Sequence, residues 1–96
     1  MSYRIRYSQE AKRALPRLPG RYRQRARRLI VALANDPRPA GAEELRGRPG
    51  ILRVWLDGWR IVYQVDDDAG VLLIIGVRYK TGPETYESLD IGSPKR

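Results

Sequence analysis

The stretch RVWLDGWRIVYQV, residues 53–65, decides the fold. Asp57-Gly58 is the dipeptide favoured in two-residue type I′ hairpin turns, and apolar side chains alternate on both sides of it. A turn of that length sets the register: Leu56 opposite Trp59, Trp55 opposite Arg60, Val54 opposite Ile61, and Arg53 opposite Val62. Leu52, Val54, Leu56, Trp59, Ile61, Tyr63 and Val65 then share one face, which reads as core. Arg53, Trp55, Arg60, Val62 and Gln64 share the other. On that second face Arg60 falls across from Trp55 and diagonal to Arg53, so guanidinium groups can stack on the indole.

Beyond the hairpin, the loop DDDAG (66–70) makes another reversal into VLLIIGV (71–77), which is apolar on both faces and predicts a central strand running to about residue 79. If that loop pairs Val65 with Val71, Gly76 lies opposite Arg60, and Arg78 and Lys80 continue the same face. A glycine there leaves a concavity that a ligand backbone can approach. At the other end of the chain, YRIRY (3–7) alternates with the period of a strand, placing Tyr3, Ile5 and Tyr7 inward. Ser8 is a candidate N-cap for a helix carrying Ala11, Ala14, Leu15 and Leu18 on one stripe, cut short or bent by Pro16.

After the Pro19-Gly20 break, residues 21–35 form the strongest helical segment. Tyr22, Ala26, Leu29, Ile30 and Leu33 make its stripe, while the arginines at 21, 23, 25, 27 and 28 fall mostly off it. The two helices should form an antiparallel hairpin, ended by Asn35-Asp36-Pro37. Residues 36–50 are a Pro- and Gly-punctuated connection with Leu45 as its expected core anchor. Near the end of the chain, ETYESL predicts a short helix with Pro83 at its first position. The expected architecture is α+β: an N-terminal strand, an antiparallel helical hairpin, three antiparallel strands completing a four-stranded sheet, and a short C-terminal helix. A single domain over 1–96 accounts for the whole length.

Composition narrows the chemistry. The chain has no cysteine and no histidine, which removes disulfide scaffolds, thiolate sites, most zinc chemistry and Ser-His-Asp hydrolysis. Catalysis would have to run on Arg, Lys, Tyr, Asp or Glu. At 42% hydrophobic and 31% charged residues, the sequence reads as a folded soluble domain with no membrane span. The opening lacks the apolar core of a secretory signal, so a cytoplasmic location is expected. The net charge is +8, and it is concentrated: residues 1–30 hold ten arginines and lysines against Glu10 alone. Such one-sided charge suits a polyanion or an acidic protein as partner, although Arg-rich helices also serve simply as solvated faces.

Arg53, Arg60, Arg78 and Lys80 beside Trp55 make a phosphate-and-base site in chemical terms. Guanidinium forks match phosphate oxygens, and an exposed indole offers a platform for an unpaired base. The plainer reading covers Trp55 with the C-terminal segment and leaves the arginines to keep a sheet edge soluble.

The order of elements resembles the RelE/ParE superfamily of bacterial toxins from type II toxin-antitoxin modules. The resemblance runs from Tyr3 to about Leu89 through YRIRYSQEAKRAL, NDPRPAGAEELRG and GWRIVYQVDDDAGVLLIIGVRYKTGPETY. RelE-like members are ribosome-dependent mRNA endoribonucleases that work without a metal or cofactor; ParE-like members share the fold and poison DNA gyrase. By position, the resemblance implies catalytic roles for Arg53, Arg60, Lys80 and Tyr86. RNA contacts are expected from Trp55 and Arg78 through their chemistry on the hairpin face, and from the helical Arg21, Arg25 and Arg28 docking on ribosomal RNA. The partners the resemblance implies are the ribosome, mRNA and a cognate antitoxin, acidic and partly disordered until bound. Two departures stand out: Trp55 replaces a lysine of the RelE pattern, and Lys80 replaces an arginine. The alternatives are a ParE-like gyrase inhibitor and an inactive module that binds RNA or antitoxin only.

Overall fold

A computed structural model of the chain describes residues 2–79. Strand β1 (Arg4–Tyr7) leads into helix α1 (Gln9–Ala14), a 3₁₀ turn (Leu15–Arg17) and helix α2 (Gly20–Asn35). Strands β2 (Glu43–Glu44), β3 (Ile51–Leu56), β4 (Trp59–Asp66) and β5 (Val71–Tyr79) follow. The sheet order is β1-β5-β4-β3-β2, with β1 parallel to β5 and the other pairs antiparallel. The long apolar strand β5 lies inside the sheet between β1 and β4, not at an edge, as its apolarity predicts, although its outer side borders a depression through Ile75 rather than being covered.

The sheet has five strands where the sequence predicts four. The extra one, β2, pairs Glu43 with Arg53 and Glu44 with Leu52. Two residues are too few to show any alternation. The expected terminal helix, together with Lys80 and Tyr86, lies outside the described residues.

One face of the sheet carries the core. Leu52, Val54 and Leu56 of β3, Ile61, Tyr63 and Val65 of β4, and Leu72, Ile74 and Val77 of β5 are buried against Ala11, Leu18, Ala26, Ile30, Leu33 and Ala34 of the helical hairpin. Fully burying one large aliphatic side chain stabilises by about 1.5–3 kcal/mol, so this layer holds the fold together. Tyr63 is wholly buried, and its hydroxyl donates to the Pro37 carbonyl at 2.7 Å, tying the connection after α2 to the sheet. Half-buried Trp59 closes one end of the layer between the rings of Tyr22 (6.3 Å between centroids) and Tyr79 (4.8 Å).

The helical hairpin forms as the residues dictate. Ser8 caps α1, its hydroxyl oxygen accepting from the Ala11 amide at 3.0 Å. The helix passes into the 3₁₀ turn just before Pro16, which has no amide hydrogen to continue it. Arg23 of α2 then donates to the Leu18 carbonyl at 3.0 Å, closing the turn between the helices.

Several expectations are corrected. Tyr7 is 39% exposed rather than inward, because β1 ends there and the chain swings away into α1. Leu45 is only half-buried and lines the outer side of the sheet, while Ala42 packs on the core instead. The 57–58 turn keeps its length and register, but of its two residues only Asp57 has a positive φ (54°), so it is not type I′. Aspartate tolerates that conformation. What Gly58 supplies is closeness: a Cβ there would stand 2.8 Å from the Tyr79 ring.

The β4–β5 register also differs. Asp66, not Val65, faces Val71, so Val65 faces Leu72. Further along, Tyr63 faces Ile74 but Val62 faces Gly76, leaving Ile75 as an extra residue in β5. This bulge turns Val77 inward and, added to the one-residue shift at the loop, puts Arg78 rather than Gly76 opposite Arg60.

Candidate nucleic-acid interface

The β3–β4 pairing places Arg53, Trp55, Arg60 and Val62 on the face away from the helices, through the alternation of an extended chain. The bulge at Ile75 adds Gly76 and Arg78 to that face. Without it, Arg78 would share the inward phase of Leu72 and Ile74. Two cross-strand rows result: Trp55–Arg60–Arg78, and Glu43–Arg53–Val62–Gly76.

Trp55 is 38% exposed and has two guanidinium groups beside its ring, with Arg53 Cζ at 5.8 Å and Arg60 Cζ at 5.9 Å from the centroid. Arg53 Nε donates to Glu43 Oε1 at 3.0 Å, so β2 braces it. Arg60 is 7% exposed, an unusual setting for a charged side chain, and borders a depression of about 360 Å³ on the outer face. Arg48, Arg53, Val62, Gly76 and Arg78 line the same depression. Four arginines around one concavity make a site for phosphate oxygens, and the indole beside Arg53 and Arg60 suits a nucleobase.

The structure thus brings together Arg53, Trp55, Arg60 and Arg78. Lys80 and Tyr86 lie outside the described residues. Arg21, Arg25 and Arg28 are exposed on α2, on the opposite side of the sheet, and form a separate basic surface. Of these, Arg25 pairs with Asp57 of the hairpin turn at 2.5 Å, and Arg21 and Arg25 flank the Tyr22 ring. Arg48 and Glu10 escaped the sequence reading. Arg48 sits in a loop without periodicity, and Glu10 reaches the site from α1, which no strand register reveals.

Among the described residues, the perturbed groups Tyr63, Asp67, Tyr3 and Arg38 lie away from this face. Burial pushes the Tyr63 hydroxyl up to about 12. Hydrogen bonds from Arg38 and Tyr3 hold the Asp67 carboxyl below its ordinary range, and the bond to Asp67 raises Tyr3. These groups knit the β4–β5 loop to the N-terminal segment and to the connection after α2. Among the described residues, no His, Cys, Asp and Glu side chains are grouped as a metal site requires, and no helix is long and apolar enough to cross a membrane.

Residues 5–81 match the family model described as the ParE toxin of the type II toxin-antitoxin system, parDE. The mRNA interferase toxin RelE of Escherichia coli K12 is 30% identical over 88 residues, covering 90% of this chain and 92% of that protein. Among solved structures, the isolated E. coli RelE toxin superposes with a TM-score of 0.77 at 26% identity, covering 93% of this chain and 96% of its own. The toxin in the intact E. coli RelBE toxin-antitoxin complex gives 0.74 at 27% identity, covering 85% and 100%. By sequence over nearly its whole length and by the layout of its sheet and helices, the chain belongs to the RelE/ParE superfamily of toxins from type II toxin-antitoxin modules.

Proposed function

We propose that this chain is the toxin of a type II toxin-antitoxin module and acts as an mRNA endoribonuclease on the ribosome, in the cytoplasm, restrained by a cognate antitoxin. The observation that carries this reading is the convergence of Arg53, Arg60 and Arg78 with Trp55 around one outer-face depression, in a chain 30% identical to an mRNA interferase. The reaction is a transesterification. An RNA 2′-oxygen loses its proton and bonds to the adjacent phosphorus, the bond to the 5′-oxygen breaks, and that oxygen takes up a proton. The products are a 2′,3′-cyclic phosphate and a 5′-hydroxyl.

Negative charge builds on the phosphorane oxygens, and fixed guanidinium groups stabilise it without any rearrangement. Arg60 and Arg53 have this role. Arginine stays protonated, so it grips phosphate well and serves poorly as a base. Lys80 and Tyr86 are the groups proposed to move protons, while Trp55 stacks on a base and so holds the strand in line. The α2 arginines Arg21, Arg25 and Arg28 dock on ribosomal RNA. The intact E. coli RelBE toxin-antitoxin complex supports a cognate antitoxin as partner, and the net charge of +8 suits an acidic segment that covers the basic surfaces.

The family model that matches the chain is that of ParE, which keeps a gyrase-directed toxin as the second reading. One experiment separates them: induce wild type and Arg60→Ala in cells and map mRNA ends on translating ribosomes. Codon-phased cuts in wild type that vanish in the variant support the nuclease. DNA-damage signalling with intact mRNA supports the gyrase reading, and absence of toxicity points to an inactive binding module.

A further inference from the structure

The depression on the outer face is not lined by cations alone. Gly76 has no Cβ, and the space this leaves is occupied by Glu10 from α1: its Oε2 lies 2.9 Å, and its carboxyl carbon 3.3 Å, from where a Cβ would stand. The same Oε2 accepts a hydrogen bond from Arg78 Nη1. Glu10 arrives there by construction. Ser8 pairs with β5 beyond the end of β1, its amide donating to the Ile74 carbonyl at 2.9 Å and its hydroxyl to the Ile75 carbonyl at 2.5 Å. Two residues later the chain delivers the sole acid of its first thirty residues onto the notch beside the bulge.

The placement answers an electrostatic problem. Arg60 and Arg78 are directly opposite each other on neighbouring strands, where like charges repel. Arg78 is half-exposed, with solvent available to it as an alternative. A carboxylate anchored in the notch keeps its guanidinium at the depression. We propose that Glu10 is a positioning residue: seated over Gly76, it holds Arg78 beside Arg60 so that the two arginines grip one RNA phosphate together. Preassembly spares the side-chain ordering that binding would otherwise demand. The proposal rests on the endoribonuclease reading and adds a second carboxylate to the site, beside Glu43, which already braces Arg53.

The test is single-turnover cleavage of mRNA on programmed ribosomes, with ribosome affinity and thermal midpoint measured alongside, for E10Q, R78Q, the double variant and G76A. Losing one charge-assisted hydrogen bond that matters in the transition state predicts about a tenfold slower cleavage for E10Q and for R78Q. The double variant should be no slower than R78Q alone, since both changes remove the same gripping group. G76A should match E10Q, because its methyl evicts the carboxylate while leaving Glu10 in the chain. Ribosome affinity and thermal midpoint should stay at the wild-type values for E10Q. Cleavage by E10Q at the wild-type rate would reduce the pair to an exposed ion pair of no consequence. Faster cleavage would show the carboxylate competing with phosphate, and multiplying losses in the double variant would make the two side chains independent. Each of these overturns the proposal while the nuclease reading survives. Failure of wild type to cut at all overturns both.

Discussion

Arg60 draws its importance from its surroundings. It is only 7% exposed, opposite Trp55 on one strand and Arg78 on the other, and it lines the outer-face depression. In the proposed function Trp55 stacks on an unpaired base, a contact worth about 1–3 kcal/mol. Trp55→Ala should therefore weaken binding of single-stranded RNA by about tenfold, read by filter binding at fixed salt, whereas Trp55→Phe should retain most of the affinity. Tyr63 is a residue of the fold and not of the site. Its phenol is raised to about 12 by burial, while an unfolded tyrosine ionises near its ordinary value of 10.0. The stability it contributes is thus complete below pH 10 and declines as pH rises toward 12. Tyr63→Phe should flatten that alkaline loss, and at neutral pH should cost about 1 kcal/mol for the bond to Pro37, both measured by denaturant unfolding across pH.

The bulge in β5 is the element on which the site depends. It reverses the phase of the strand between Ile74 and Val77, and Ser8 holds it by donating to the Ile75 carbonyl while capping α1. One hydroxyl therefore serves a helix and a strand. Ser8→Ala should cost about 1–2 kcal/mol through the lost cap and the orphaned carbonyl. Because the same change loosens Glu10 and Arg78, cleavage should fall further than the stability loss explains. A variant with normal cleavage and an unchanged midpoint would deny Ser8 this double role. The hairpin turn is a simpler case. At Gly58 a Cβ meets the Tyr79 ring at 2.8 Å, so Gly58→Ala should displace that half-exposed ring and lower the thermal midpoint, with its near-ultraviolet circular dichroism altered as the Trp59–Tyr79 contact opens.

At the scale of the whole molecule, the sheet separates two basic surfaces: the outer-face depression and the arginine face of α2. With a net charge of +8, association with ribosomes should weaken steeply as salt is raised. Reversing α2 charges such as Arg21 and Arg28 should reduce that salt slope and the affinity, leaving the cleavage rate on bound ribosomes nearly intact. Arg60→Ala should do the converse. Acid stability has a separate origin. Asp67 is held below its ordinary value of 3.8 by Arg38 and Tyr3, so its contribution is present above that value and lost as pH falls through the lower folded one. Asp67→Asn should remove that part of the acid transition.

Residues 51–65, read alone, settle the hairpin, its register and the sorting of Arg53, Trp55 and Arg60 away from Leu52, Val54 and Ile61, because a two-residue turn and a period of two leave no other arrangement. The helices and the central place of β5 were legible for the same reason: each has enough residues for its periodicity to show. Strand β2, two residues long, had no period to read, and Leu45 looked like a core anchor because apolarity alone does not say which side of a sheet a loop residue meets. The bulge at Ile75 was equally hidden, since it answers to Ser8, a residue 67 positions away along the chain. That distant contact decides whether Arg78 faces Arg60 and whether Glu10 finds its notch over Gly76. Local pattern acts through neighbours in sequence, whereas the phase of a bulged strand depends on a hydrogen bond that exists only once the helices have packed.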